Sequence, residues 1–209
     1  MKKIFAGIAA VLSALALIGC GGADSAAKDK SGPTVTPTPI TLENYSGDRP
    51  AVEIVIRDYG TIKAELYPDI APISVKNFLD LVDRHFYDGL TFHRIIDGFM
   101  MQGGAPNSES PAVTPIKGEF SSNGIENTIS HVRGILSMAR TPDPDSATSQ
   151  FFIVQGNPTY LDGAYAGFGK VLSGMDVVDA ICKAVPVEDD NGTVLPENQP
   201  VIETIRRAA

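Results

Sequence analysis

Short segments in which apolar and polar residues alternate run through most of the chain, and this pattern constrains the fold more than any other feature. Residues 51–57 and 61–67 both alternate in this way, and Asp58-Tyr59-Gly60 joins them. Alternation predicts half-buried strands, and a short link containing glycine predicts a hairpin. Further β-rich segments occupy residues 90–96, 99–102, 134–139, 150–154 and 201–205, of which the last is expected to complete the sheet. So many short strands favour a barrel or a sandwich.

Two segments instead show the period of a helix. After Pro72, apolar residues fall at i, i+3, i+4 and i+7, with charged residues on the other side. Pro72 suits a first helical turn, so we expect an amphipathic helix of about a dozen residues there. A second helix is expected over Met175–Ala184, where Val177, Val178 and Ile181 share a face. The domain is therefore expected to be mainly β, with two helices.

The N-terminus has the layout of an export signal. Lys2 and Lys3 precede an uncharged run from Ile4 to Ile18, which is shorter than the roughly 20 residues of a membrane-spanning helix. A basic start and a short apolar run are typical of a secretory signal peptide. The run ends in Leu17-Ile18-Gly19-Cys20, which resembles the lipobox of bacterial lipoproteins and makes Cys20 the candidate lipidation site. The alternative is a plain signal peptide with Cys20 near its cleavage site, and both interpretations imply export.

These observations divide the chain into three parts. We expect a lipoprotein signal peptide over residues 1–19, a lipidated Cys20 with a flexible tether over residues 20–48, and a folded domain over residues 49–209. The tether carries Gly, Ser and Pro without hydrophobic periodicity. The protein is then expected outside the cytoplasm, anchored by lipid to the bacterial cell membrane at its outer face or periplasmic side.

Composition and motif searches exclude several chemistries. With 17 basic and 25 acidic residues, the net charge of −8 argues against a nucleic-acid partner. Three scattered histidines and two cysteines do not have the spacing of a metal site, so no metal is expected. Gly169-Lys170 lacks the upstream glycine of a phosphate-binding loop, because residue 164 is Ala. No Gly-x-Ser-x-Gly sequence is present to supply an acyl-transfer nucleophile.

Asp189-Asp190-Asn191-Gly192 has a faint likeness to a calcium-binding loop. The glutamate that would close such a twelve-residue loop is missing. We therefore interpret this segment as a solvated turn.

Four ordered motifs carry the functional signal. The first is Phe92–Gly104, which places Arg94 and Gln102 within otherwise apolar strands. On a regular strand His93 and Arg94 would point to opposite faces. Taken alone, Arg94 would be interpreted as a rim residue whose stem covers apolar surface. The other blocks are Gly134–Arg140, Ser149–Ile153, and Leu161-Asp162-Gly163 followed by Phe168–Val171.

Together these blocks resemble the signature of the cyclophilins in order and spacing, across about residues 50 to 207, and the insert at residues 142–148 is similar to the bacterial branch. The resemblance implies a closed eight-stranded antiparallel β-barrel capped by two α-helices. It also implies peptidyl-prolyl cis-trans isomerase activity on proline-containing segments of exported proteins, without a cofactor, by a protein expected to be monomeric. Arg94 falls on the catalytic arginine. The substrate-binding positions fall on a proline pocket (Phe99, Met100, Phe152, Leu161), backbone-holding polar residues (His93, Gln102, Gln150), main-chain contacts (Ala139, Arg140) and the groove edge (Tyr160, Tyr165).

The chain departs from the family pattern at three of these positions. Arg140 stands where many cyclophilins have Asn, Tyr165 replaces a His common in eukaryotic members, and Tyr160 replaces a Trp. Two other functions remain open on the sequence. A non-catalytic module that binds proline-containing peptides would be expected to lack Arg94, Gln102 or Phe152, but all three are present. A structural lipoprotein would be expected to have a groove blocked by substitutions, which the motifs do not show.

Overall fold

A computed structural model describes residues 49–208, so the expected signal peptide, the candidate lipidation site Cys20 and the expected tether lie outside the described residues. Within that range both expected helices are present, and the strands number eight. The strands are β1 (Ala51–Ile56), β2 (Gly60–Leu66), β3 (Phe92–Ile96), β4 (Met100–Gly103), β5 (Ile135–Met138), β6 (Phe151–Val154), β7 (Gly167–Ser173) and β8 (Ile202–Arg207). The helices are α1 (Pro72–Asp83) and α2 (Met175–Ala184). None of the helices in the described part is long and apolar enough to cross a bilayer.

All eight strands join one antiparallel sheet in the order β3-β4-β6-β5-β7-β2-β1-β8. β1 and β2 form the predicted hairpin, with Ile56 opposite Gly60. β7 was not among the strands that alternation predicts, because glycines at residues 167 and 169 interrupt its apolar pattern. At Gly169 an added Cβ would lie 2.7 Å from the Glu65 carbonyl oxygen, so the close approach of β2 requires a residue without a side chain.

The expectation of a closed barrel is wrong: the sheet is open, with β3 and β8 as its edges. Within the described residues these edges meet at a short bridge between Thr91 and Val201, just before the two strands. Beside it the Phe92 N–H donates to the Pro200 carbonyl at 3.0 Å, and the Ile202 N–H donates to the Leu90 carbonyl at 2.8 Å. Further along β3, residues 192–194 lie beside the strand where β8 would have to pair to close the barrel. The Ile95 N–H donates to the Gly192 carbonyl at 2.8 Å, and the Val194 N–H donates to the His93 carbonyl at 3.0 Å. Because residues 192–194 cover this edge, β8 cannot pair along it.

The main core lies between the helices and one face of the sheet. Phe78 of α1 packs at its centre, with its ring centroid 5.2 to 5.3 Å from those of Tyr87, Phe151 and Phe168. The N-terminus of α1 begins at Pro72, as predicted, and Ala71 before it provides no capping side chain. The buried Glu119 carboxylate takes that role by accepting hydrogen bonds from the N–H groups of Ile73 and Ser74. These contacts satisfy backbone donors that the helix itself leaves unpaired.

Candidate active site

A second apolar cluster lies on the face of the sheet opposite the main core. Its buried members are Met100, Ile135, Phe152 and Val154. Along β6, Phe152 and Val154 of this cluster alternate with Phe151 and Ile153, which belong to the main core. Both faces of the central strands are therefore apolar, and the outer one is available to bind a ligand.

An open pocket of about 120 Å³ lies over this second cluster. Nine of the twelve catalytic and substrate-binding positions proposed from the sequence line it together. They are Arg94, Phe99, Met100, Gln102, Ala139, Arg140, Phe152, Leu161 and Tyr165. The pocket thus has an apolar floor, with two guanidinium groups and an amide at its edge.

The remaining three positions lie around the pocket. Gln150 lines an adjacent pocket of about 170 Å³ and accepts a hydrogen bond from the Gln102 amide at 3.0 Å. Tyr160 stands at the rim, 75% exposed, with its ring 6.2 Å from that of Phe99. His93 lines neither pocket, and its Nδ1 is buried with no hydrogen-bond partner among the described residues. Burial, and secondly the charge of Arg94, lower the pKa of His93.

A β-bulge brings Arg94 to the pocket. In the pairing of β3 with β4, Phe92 lies opposite Gly103 and Arg94 opposite Gln102, with a shift of register between them. The expected regular alternation therefore fails here, because Phe92 and Ile95 both enter the main core. The extra residue allows β3 to fill the core on either side of Arg94 while this side chain faces the outer pocket.

The Arg94 guanidinium lies beside two acceptors. Its Nε donates to the carbonyl of Asn191 at 2.8 Å, and one terminal nitrogen lies 3.4 Å from Oε1 of Gln102. The second terminal nitrogen makes no hydrogen bond with the described part of the chain. This geometry leaves donors available to a bound ligand.

Arg140 joins the two loops that form the far wall. Its guanidinium donates to the Ala164 carbonyl at 2.7 and 3.1 Å. It also lies 4.6 Å from the ring centre of Tyr165 and 4.9 Å from that of Phe120, distances at which a cation is attracted to an aromatic face. Two of the departures from the family pattern, Arg140 and Tyr165, are therefore in direct contact. Sequence reasoning did not identify Phe120, since no motif marks it.

A buried hydrogen-bonded chain supports the pocket from behind. The His131 ring bonds to Asp162 through Nδ1 and to the Ser137 hydroxyl through Nε2, both at 2.9 Å. The same ring stacks on Phe152 at 6.1 Å between centroids. His131 and Ser137 are fully buried, so the chain positions the pocket wall and does not reach a ligand. Burial lowers the pKa of His131, although the Asp162 carboxylate opposes the shift.

Comparison with known proteins gives this site a family. The sequence model of the family described as cyclophilin type peptidyl-prolyl cis-trans isomerase/CLD matches residues 51–207. A peptidyl-prolyl cis-trans isomerase of Acinetobacter baylyi is 52% identical over 130 residues, which are 58% of this chain and 66% of that protein, just under two thirds of its length. Peptidyl-prolyl cis-trans isomerase B of Escherichia coli is 39% identical over 159 residues, or 71% of this chain and 94% of that protein.

The fold agrees with this relationship. A crystal structure of a cyclophilin type peptidyl-prolyl cis-trans isomerase from Cryptosporidium parvum superposes with a TM-score of 0.66 at 29% identity, covering 78% of this chain and 99% of that one. A second structure of that protein, obtained in the presence of the dipeptide Ala-Pro, gives 0.65 at 30% identity, covering 76% and 99%. The chain therefore belongs to the family of cyclophilin-type peptidyl-prolyl cis-trans isomerases.

Proposed function

We propose that this protein accelerates the cis–trans isomerisation of X–Pro bonds in exported polypeptides, and that lipid on Cys20 tethers it to the bacterial cell membrane. The observation that carries the catalytic part is the position of Arg94 and Gln102 at the edge of an apolar pocket. Polar donors beside a socket for an apolar ring match the chemistry of a prolyl bond.

The reaction needs rotation and no covalent step. Amide resonance imposes a barrier of about 18–20 kcal/mol. In the twisted transition state the prolyl nitrogen regains a localised lone pair, which can accept a hydrogen bond from the Arg94 guanidinium. That interaction is weak in the planar ground state, so it lowers the barrier selectively. Because its Nε is already bonded to Asn191, the guanidinium is oriented before the substrate binds.

The remaining pocket residues hold the substrate during rotation. The proline ring is expected to enter the socket of Phe99, Met100, Phe152 and Leu161, while Gln102 and Gln150 hold the peptide backbone with main-chain groups of Ala139 and Arg140. The related Cryptosporidium parvum protein was crystallised in the presence of Ala-Pro, which supports a dipeptide-sized core of the substrate. An acceleration of about 10⁵ needs only ~7 kcal/mol, a sum that one oriented donor and a fitted socket can share.

Export and tethering are proposed from the N-terminal sequence. Lys2, Lys3 and the apolar run up to Ile18 direct export, and Cys20 follows the lipobox-like residues. The tether after Cys20 would span roughly 30 Å as a random coil. It would keep the domain close to the membrane, where newly exported chains fold, without fixing its orientation.

A protease-coupled isomerase assay with the purified full chain and a proline-containing peptide tests the activity. We expect the cis-to-trans rate to rise in proportion to protein concentration. A matched titration of peptide binding separates catalysis from binding alone. If the peptide binds but its isomerisation rate does not change, the protein is a non-catalytic binding module and the proposed catalysis is wrong.

A further inference from the structure

The turn formed by residues 189–193 contacts the pocket arginine directly. Its sequence, Asp189-Asp190-Asn191-Gly192-Thr193, predicts a solvated turn. Most of its side chains are indeed exposed. However, the carbonyl of Asn191 accepts the hydrogen bond from Nε of Arg94. The turn is therefore part of the surroundings of the guanidinium.

Distances show which acceptor orients Arg94. The bond to the Asn191 carbonyl measures 2.8 Å, within the usual N–H···O range. The contact with Oε1 of Gln102 measures 3.4 Å, beyond that range. The direction of the guanidinium thus depends on the turn more than on its neighbour on β4.

Two residues lock the turn. Oδ1 of Asp189 accepts from the Thr193 N–H, and Oδ2 accepts from the Thr193 hydroxyl, both at 3.0 Å. The Gly192 N–H also donates to the Asp189 carbonyl at 2.9 Å. The Thr193 N–H and hydroxyl hold the pKa of Asp189 below its ordinary value, so the locking carboxylate stays ionised at neutral pH.

The locked turn is attached to β3 beside Arg94. Gly192 and Val194 make backbone hydrogen bonds to Ile95 and His93, the residues on either side of it. A Cβ at Gly192, where φ is +77°, would lie only 2.1 Å from the Ile95 carbonyl oxygen, so this approach requires glycine. The Asn191 carbonyl consequently has a fixed place relative to the Arg94 backbone.

We infer that Asp189 and Thr193 are positioning residues for catalysis: by locking this turn they hold the Asn191 carbonyl where it orients Arg94 for the prolyl nitrogen. The inference rests on the catalytic role of Arg94 in the proposed function. It assigns an effect on turnover to side chains that line neither pocket.

Steady-state kinetics of the full chain test the inference. Asp189→Ala should lower kcat by about 5- to 100-fold with KM changed less than about twofold, since a misplaced catalytic group costs turnover. Asp189→Asn keeps one of the two acceptor oxygens and Thr193→Ser keeps the hydroxyl, so both variants should keep most of the activity. Thr193→Val lacks the hydroxyl and should lose part of the activity. Asp190→Ala is the matched control, because this exposed neighbour makes no side-chain hydrogen bond in the described part of the chain. It should behave as the wild type.

A double-mutant cycle with Arg94→Ala distinguishes positioning from a general structural effect. In the Arg94→Ala background, Asp189→Ala should have no further effect on kcat. An equal fold-loss in both backgrounds would overturn the inference, as would an unchanged kcat for Asp189→Ala beside an impaired Arg94→Ala. If Arg94→Ala itself is fully active, the catalytic assignment of the proposed function fails instead.

The NMR signal of the Arg94 Nε–H provides a readout independent of activity. In the wild type this proton is bonded and should exchange slowly with water. Asp189→Ala should accelerate its exchange, and Asp190→Ala should leave it unchanged. Slow exchange in both variants would contradict the inference, since the turn would then hold Arg94 without its Asp189 lock.

Discussion

The Arg94 guanidinium is the donor that the proposed mechanism cannot replace. The side chain lies at the pocket edge and belongs to neither apolar cluster. Arg94→Ala should lower kcat/KM by about 100-fold or more, consistent with ~3 kcal/mol for one preorganised donor. The melting temperature should hardly change, because no core contact is lost. Isomerase assays and thermal unfolding of the same samples check both expectations.

Arg94→Lys is the appropriate control for charge. Lysine keeps the positive charge but lacks the planar set of donors with which arginine can bond to the Asn191 carbonyl and to the substrate at the same time. It should therefore be nearly as impaired as Ala. Full activity of either variant would refute the role of Arg94 in the mechanism.

Tyr160 permits a prediction about the drug cyclosporin, which gives the family its name. The cyclophilin resemblance implies that a Trp at this position would donate its indole N–H to the drug. The Tyr160 ring is exposed at the rim beside Phe99, and its hydroxyl at the tip of a smaller ring should not reach the same acceptor. Loss of one partly buried hydrogen bond costs about 1–3 kcal/mol, or roughly 5- to 150-fold in Kd.

Tyr160→Trp should therefore bind cyclosporin more tightly than the wild type, by up to that factor. Turnover of small peptides should change less, because the socket residues are unaltered. Titration of both proteins with the drug, followed by residual isomerase activity, provides the measurement. Equal nanomolar inhibition of the two would show that Tyr160 does not determine drug affinity.

The motifs mark positions whose side chains line one pocket in nine of twelve cases, and the roles of these residues stay predictions. They could not predict the contribution of Asn191, which acts through its carbonyl, a group that every residue possesses. Phe120 was missed for a related reason: it lies beneath Arg140 only through the tertiary fold. Contacts made by backbone groups or by residues between motifs leave no local signal.

Between elements, His131 links β5, β6 and the loop that carries Leu161. Its pKa is lowered, mainly because burial disfavours the charged ring. Below pH 6.5, the ordinary pKa of histidine, His131 binds a proton in the unfolded chain. In the folded chain it binds that proton only at a lower pH. The free energy of unfolding contributed by His131 is thus present at higher pH and is lost as the pH falls below 6.5.

His131→Gln should destabilise the domain at pH 7.5 by about 1–3 kcal/mol, since the buried Ser137 hydroxyl and Asp162 lose a partner that bridges both. It should also reduce the decline in stability between pH 7.5 and 5.5. Urea unfolding at several pH values measures both effects. The exposed His85→Gln is the control, expected within about 0.5 kcal/mol of the wild type. An identical pH dependence of wild type and His131→Gln would contradict the prediction.

At the scale of elements the sequence predicted both helices and seven of the eight strands. The exceptions have physical reasons. The glycines of β7 serve the close approach of β2 and conceal its apolar pattern. The bulge at His93 and the covered edge of β3 depend on pairing between distant segments, which a local periodicity does not contain. For this reason the expected barrel closure was wrong.

The whole molecule is proposed to act at a membrane, and Cys20 is the residue that tests this. One acyl chain binds membranes marginally, whereas two or more anchor stably. Diacylglycerol on Cys20 should place the protein in the membrane fraction, with radiolabelled palmitate incorporated. Cys20→Ser should abolish labelling and either release the protein or stall its processing.

The buried Cys182→Ser is a matched control that should not affect lipid labelling, because this thiol lies in the core of the folded domain. Cell fractionation with mass spectrometry of the N-terminus provides the measurement. A wild-type protein that fractionates as soluble and carries no lipid would refute the anchor while leaving the isomerase assignment intact.

The alternation of pocket and core side chains along β4 and β6 has an evolutionary consequence. Met101, Phe151 and Ile153 maintain the fold, while Met100 and Phe152 on the opposite face shape the socket. Selection for a new client can therefore alter the socket without opening a void among the residues that maintain the fold. Mutations that change substrate preference in this domain should therefore cost less stability than active-site mutations usually do. Substrate preference can diversify among descendants of this domain while their architecture stays constant.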